Sequence, residues 1–523
     1  MTSPAPTLAR PPAVAPPRPA APAGAASADA PPDDLKWLKR LTWLYIALWL
    51  GEGALRKWIV PGLANPLLII RDPVLLAMFY LAASKGLFPK TKLVAATVVM
   101  GLIALLVSFA ATSTPLVILA YGLRASYIHL LLIFLLPNIF DRDDVRLVGK
   151  WLLLAAGPMA FLVMLQFVAN KNSWLNAGAG GATNVMLDAA YGRIRPSGTF
   201  SFTNGLTGFT ALCSAFFLYH LLEKKVYPRL LWLAAAPAVL VLIVLSGSRT
   251  AAGMVFLIVA TVGFISVVQR RYRAAAVKLG ALAAVIFVGV GSFAVFKQGL
   301  DVFAYRFGNA ANVQQGFVGR FYESYFHVPF LVAEQAPSFG FGLGMGTNVA
   351  SRYLTGRMGD ILSEGELGRN IMESGPLVGG LYIGLRAVMV VWMGTVALKA
   401  LRRDTNPLPL MLYSGCFLDL LQGQFAQPTE LGYATIASGL VLAAIRPGKQ
   451  LTPAMDDADP APAIPARPGA TPVLKAAPVV SRAAPPPPAA RGRSSYAERL
   501  HATTAPEPEP TPKTSGNGSE PPV

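Results

Sequence analysis

Two cysteines and four histidines are all that this 523-residue chain offers for metal or redox chemistry. Cys213 and Cys416 each sit within an apolar span, so neither a disulfide framework nor a CxxC site is available. His129 and His220 fall in or beside apolar spans and His501 in a tail, which leaves His327 as the only clearly external histidine. With no histidine cluster and no paired DxD, the sequence argues against a divalent catalytic ion. A Ser-His-Asp nucleophile is equally unsupported. No metal and no cofactor is expected. Charge is scarce too: Asp, Glu, Lys and Arg make up 14% of the chain, against about 25% in soluble domains. A cleavable signal peptide is not expected, because the first apolar run starts near Leu41 behind a proline-rich leader. No internal repeat is visible, and the two halves do not look alike.

What is present is apolar: 54% of residues are hydrophobic, and mean hydropathy is +0.49. Runs of about 17–20 apolar residues recur, each long enough to cross ~30 Å of hydrocarbon. The pattern predicts an all-α polytopic membrane protein of about 12 transmembrane helices within a membrane domain, 35–446. The spans fall near 40–58, 66–83, 93–111, 115–137, 151–169, 204–222, 230–247, 251–268, 279–296, 375–397, 408–424 and 430–445. Residues 1–34 and 447–523 are Pro/Ala-rich, include Pro485 to Pro488, and read as disordered tails.

Lys/Arg bias sets the expected orientation. Short loops carrying Lys36, Lys85, Lys150, Lys224, Arg271, Arg402 and Arg446 are dense in positive charge and read as cytoplasmic, with both tails. The net charge of +18 then reflects orientation and the holding of anionic lipid phosphates, not nucleic acid.

Two long segments, 170–203 and 297–374, lie on the opposite face. The second carries Tyr305-Arg306-Phe307, Gly319-Arg320-Phe321-Tyr322-Glu323, "PSFGFGLGMGTN", then Glu364, Glu366, Arg369 and Glu373. Long inter-helix loops are functional or disordered, and this one is too aromatic for disorder. Outside the cytoplasm ATP is unavailable, so any chemistry there needs a substrate already activated on the membrane. Arginines gather on this face: Arg56 and Lys57 end the first span, Arg71 and Asp72 lie about one to two turns into the second, and Arg249 lies in "SGSRTAAG". Arg124 and Arg386 lie deeper, where a charge costs at least ~2.5 kcal/mol and needs a partner or a polar cavity. Local pairing, Arg71 with Asp72 and Arg369 with Glu373, accounts for some of these. For the whole set, guanidinium forks matched to a diphosphate are the better fit.

"RIRPSGTFSFTNGL" places Arg193 and Arg195 before a span, with Thr203 or Asn204 as the expected N-cap. Gly340, Gly342, Gly344 and Gly346 permit tight turns, close approach to a ligand, or packing on the bundle. Glu323, Glu364, Glu366, Glu373, Asp301 and Asp360 supply the acids for proton transfer.

In order, "RIRPSGTFSFTNGL", "SGSRTAAG", "GRFYESYFHVPFLVAEQAPSFGFGLGMG" and "RNIMESGPLVGGLYIGLR" resemble motifs of the O-antigen ligase and O-antigen polymerase superfamily, over roughly residues 190–390. The resemblance implies a C-type glycosyltransferase-like helical fold with a large periplasmic loop. It implies metal-independent action on undecaprenyl-diphosphate-linked glycans in a bacterial inner membrane. By position, Arg193 or Arg195, Arg249 and Arg320 would hold the diphosphate and Glu373 would stand near the sugars; Arg369, Arg71 and Arg56 join the expected ligands. Ligases carry a histidine, often followed by Asn, shortly before the acidic helix entry. Here that site is Arg369-Asn370, and "GALRKWIVPG…RDP" also resembles exopolysaccharide members, which favours a polymerase. Glu373 or Glu366 is the expected base. The expected partners are a lipid-linked oligosaccharide donor, a glycan acceptor, membrane lipid and other polysaccharide assembly proteins. The alternative is a transporter or flippase of lipid-linked sugars.

Overall fold

The computed structural model describes residues 32–223, 226–274, 293–313, 327–356, 362 and 365–448. Helices dominate: α1 (Pro32–Ala54), α2 (Arg71–Ser84), α3 (Lys92–Ala111), α4 (Leu116–Leu123), α5 (Leu131–Ile139), α6 (Arg142–Val168), α7 (Thr203–Leu222), α8 (Arg229–Leu245) and α9 (Arg249–Val268) come first. They are followed by α10 (Ala294–Val313), α11 (Val328–Gln335), α12 (Asn348–Thr355), α13 (Glu366–Asp404), α14 (Leu408–Gln422) and α15 (Pro428–Ala443). One antiparallel pair, β1 (Asp188–Ala190) with β2 (Arg193–Ile194), is the only sheet among the described residues.

Capping residues set many helix starts. Thr91 accepts from Val94 N, and Asp141 with Asp144 forms a reciprocal capping box at α6. Ser248 and Thr347 cap α9 and α12. The expected cap of α7 does not form: Thr203 is already helical, and Asn204 instead donates to Gln427 and Glu430.

Among the described residues, six helices are long and apolar enough to cross a membrane. Counting the bent pair Leu116–Ile128 and Leu131–Ile139 as one span makes seven. The protein is therefore all-α and membrane-like. Of the twelve expected spans, α8 and α14 are apolar but shorter, and most of 279–296 falls outside the described residues. Burial orders the bundle. α7 is 89% buried over its apolar window while α2 and α3 are 22% and 28% buried, so α7 is the hub and the other two are rim helices. Their exposed Leu76, Leu102, Leu106 and Phe109 form a surface suited to hydrocarbon.

One end of the bundle collects the long segments. The 3₁₀ turns at Pro61–Leu63 and Ala179–Gly181 meet there, β1–β2 reaches α10, and residues 340–344 seat on α3 and α4. At the other end Lys39 pairs with Asp144, Arg271 with Glu223, and Tyr272 donates to Thr405 O. α13 breaks at Gly375, whose φ of +79° only glycine adopts readily and whose Cα faces Ser338 O, leaving no room for a side chain.

Candidate functional site: an arginine cluster beside an aromatic cleft

Three segments converge on Arg195. β2 delivers it just after Ile194, and its backbone N–H donates to Leu187 O at 2.8 Å. The turn before α9 contributes Gly247 at φ +55°, where an added Cβ would lie 3.7 Å from Arg195 Cγ and 4.0 Å from Val302 Cγ1. That turn starts α9 on Arg249. Helix α10 contributes Val302 and, one turn on, Arg306.

Three guanidinium groups therefore share one neighbourhood. Burial pushes Arg195 down to about 10, and the charges of Arg306 and Arg249 add to the shift. Arg306 is lowered by burial and by Arg249. Arg306 Nη1 donates to Asp188 O at 3.3 Å, yet its Nε and that of Arg195 are buried with no hydrogen-bond partner among the described residues. Gathered like charges with orphaned donors raise the free energy of the empty site, and an anion relieves both penalties.

A cleft of about 540 Å³ adjoins this cluster, lined by Tyr191, Arg193, Gln298, Asp301, Val302 and Tyr305 among others. Val302 belongs to both cleft and cluster. Positions 298, 301, 302, 305 and 306 share a face of α10 at i, i+3 and i+4 spacing. The rings of Tyr191 and Tyr305 stand 5.1 Å apart, and Asp301 is the one carboxylate lining the cleft among the described residues. Arg193 is partly committed elsewhere. Its Nη1 closes the end of α6 on Val168 O at 3.0 Å and its Nη2 donates to Gln298 Oε1 at 2.8 Å.

The two expected bases are not in this cleft. Glu366 accepts from Arg369 at 2.8 and 2.9 Å and from Arg386 Nη1 at 2.9 Å. Glu373 Oε1 accepts from Arg369 Nη1 at 2.7 Å and from Gly346 N at 2.9 Å. All four side chains are buried, so Glu366 and Glu373 anchor the start of α13 to the loop and to α14, with Arg369 bridging the two carboxylates. Arg56 and Arg71 are also internal. Both bind Glu52, at 3.2 and 3.0 Å, and Arg56 Nε closes on Ala64 O. Arg71 therefore does not pair with Asp72, which instead meets Arg124 and His129. Lys57 donates to Ser197 Oγ, Gly198 O and Phe200 O, tying "SGTFS" to the first helix.

Arg320, Glu323, Glu364 and Asp360 lie outside the described residues. The glycines of 340–346 serve packing: a Cβ on Gly340, Gly342, Gly344 or Gly346 would strike α13, Thr114, α4 or Arg369. Sequence reasoning named Arg306 and Asp301 but did not join them to Arg195. Helical spacing, hidden by treating 297 onward as loop, would have set Asp301 and Arg306 on one face, but their meeting with Arg195 is a long-range contact that no local signal carries.

No family model, curated protein or solved structure matches this chain.

Proposed function

We propose that the protein is a membrane glycosyltransferase that polymerises oligosaccharide units carried on undecaprenyl diphosphate, at the outer face of a bacterial inner membrane. The observation that carries this reading is the Arg195–Arg249–Arg306 cluster beside a cleft holding one carboxylate and two tyrosines. An acceptor hydroxyl oxygen bonds to the anomeric carbon as that carbon's bond to the diphosphate oxygen breaks. The leaving diphosphate takes the electron pair, and the three guanidinium groups stabilise its growing charge. Asp301 takes the acceptor proton. Tyr191 and Tyr305 offer ring faces to the sugars, as aromatic side chains commonly do. The motif resemblance over roughly 190–390 supports the same class. In this reading twelve spans place both termini in the cytoplasm and segments 170–203 and 297–374 in the periplasm.

The test is reconstitution in liposomes with lipid-diphosphate-linked repeat units. Wild-type protein should lengthen the glycan, and Arg195→Lys should stop lengthening. A wild-type protein that moves these units across the bilayer without lengthening them would make it a flippase instead.

A further inference from the structure

A second polar feature lies away from the cleft, in a groove of about 590 Å³ between α2, α4 and α12. Its walls include Ile69, Leu76, Val117 and Ala120, all exposed. Its floor is charged. Arg124 Nε donates to Asp72 Oδ2 at 2.5 Å, and Asp72 Oδ1 meets His129 Nε2 at 3.0 Å. His129 Nδ1 in turn bonds Tyr45 Oη at 2.8 Å. Asp72 has both oxygens engaged, whereas Arg124, only 7% exposed, keeps Nη1 buried with no hydrogen-bond partner among the described residues.

The backbone is broken at this same place. Arg124 opens a π-helical turn, Arg124–Ile128, and the chain bends 48° before α5. Such interruptions recur where membrane helices form binding sites. A second cation stands among the lining residues. Arg352 of α12 reaches Asn65, Nη1 to Oδ1 2.6 Å, and is itself exposed. The ionised groups of the groove are thus two arginines against one aspartate, with His129 bonded to that aspartate.

We infer that this groove binds the phosphate end and first isoprenoid units of a polyprenyl diphosphate lipid. The apolar walls take the chain, Arg124 Nη1 takes a phosphate oxygen, and Arg352 adds charge at the mouth. Membrane-exposed walls with a cationic floor fit an anionic lipid better than a water-soluble anion. The choice of an isoprenoid carrier over a bilayer phospholipid rests on the proposed reaction. That reaction joins two carrier-linked glycans, so a second carrier must be held while the arginine cluster grips the first.

The test uses purified full-length protein and geranylgeranyl diphosphate bearing a benzophenone on its tail, with crosslinked peptides mapped after irradiation. Labelling is expected within 65–76, 116–128 or 348–353. It should fall about tenfold in Arg124→Gln, the loss of one charge-assisted hydrogen bond. Ala120→Trp, which fills the groove from an exposed position and leaves the ion pairs intact, should abolish it without altering thermal stability. Labelling confined to 188–195 and 298–306 would overturn the inference while leaving the proposed function standing. Displacement by an equal amount of phosphatidylglycerol would make the occupant an ordinary bilayer lipid, and displacement by pyrophosphate alone a soluble anion. Either result also overturns it. Groove labelling that depends on Arg124, in a protein that never lengthens glycans, would uphold the site and sink the polymerase reading.

Discussion

Arg386 reaches back along its own kinked helix to Glu366, Nη1 to Oε1 2.9 Å, and its guanidinium also covers the Phe425 ring at 3.8 Å. Its remaining donors close on Leu420 O, Asp419 O and Gly423 O. A mid-helix arginine of this kind ties α13 to α14. The same carboxylate is gripped from the other side by Arg369, and its side chain is buried.

Removing one partner from this buried network should therefore cost stability first. Glu366→Gln should lower unfolding free energy by about 3–5 kcal/mol, because it removes the carboxylate that pairs with buried Arg386, and Arg386→Met should cost less, because Glu366 keeps Arg369. Thermal unfolding of the purified protein, with the amount inserted in the membrane, checks this. Variants that fold as stably as wild type yet turn over no substrate would instead make Glu366 a reacting group.

At Arg306 the expectation has the opposite sign. Its charge contributes to holding Arg195 down to about 10, after burial, and both arginines remain cationic at neutral pH. A cation whose folded-state value is depressed destabilises the fold below that value, and the penalty lifts as pH rises through it. Arg306→Gln should thus stabilise the unliganded protein, by about 0.5–1 kcal/mol given partial exposure, while weakening pyrophosphate binding. Wild type should gain thermal stability from pyrophosphate more strongly at pH 7 than at pH 10.5. A destabilised Arg306→Gln protein with undiminished pyrophosphate binding would show that the cluster is not an anion site.

The all-α, membrane-like character and the six or seven long apolar helices were legible in the sequence because apolar runs report local energetics. Pairing across the bundle was not. Asp72 was read with its neighbour Arg71, but consecutive residues point to different sides of a helix, so Arg71 turns to Glu52 and Asp72 to Arg124. Glu373 was read as a base because it stands near a helix entry. Only the fold shows that its Oε1 accepts from Gly346 N and Arg369, with Oε2 left without a hydrogen-bond partner among the described residues. Arg195 and Arg249 were named from motifs. Arg306 is added to them by the long-range contact of α10 with β1 and α8, which no periodicity encodes.

The two faces can be assigned to compartments directly. Gly308 is exposed on α10 and Ala274 is exposed after α9, while Cys213 and Cys416 are both buried. After both cysteines are replaced, Gly308→Cys should react with an impermeant thiol reagent in intact cells and Ala274→Cys should not. The reverse pattern would put the arginine cluster in the cytoplasm and remove the proposed reaction with it.

Asp301 and the arginines should fail in distinguishable ways. Arg249→Lys and Arg195→Lys keep the charge but lose the two-pronged fork, so binding of the diphosphate and its departure should both suffer. A loss of about 10²-fold or more in turnover is expected, on the scale of removing one transition-state donor. Asp301→Asn keeps the shape of the cleft and removes only the proton acceptor, so turnover should fall by about 10²–10⁴-fold with lipid-substrate affinity nearly unchanged. In cells each variant should accumulate single lipid-linked units at normal protein levels, in place of long polymer. Titrating substrate against Asp301→Asn separates the two roles. A raised KM with wild-type kcat would make Asp301 a sugar-binding group, and unchanged kinetics would require the acceptor proton to leave by another route.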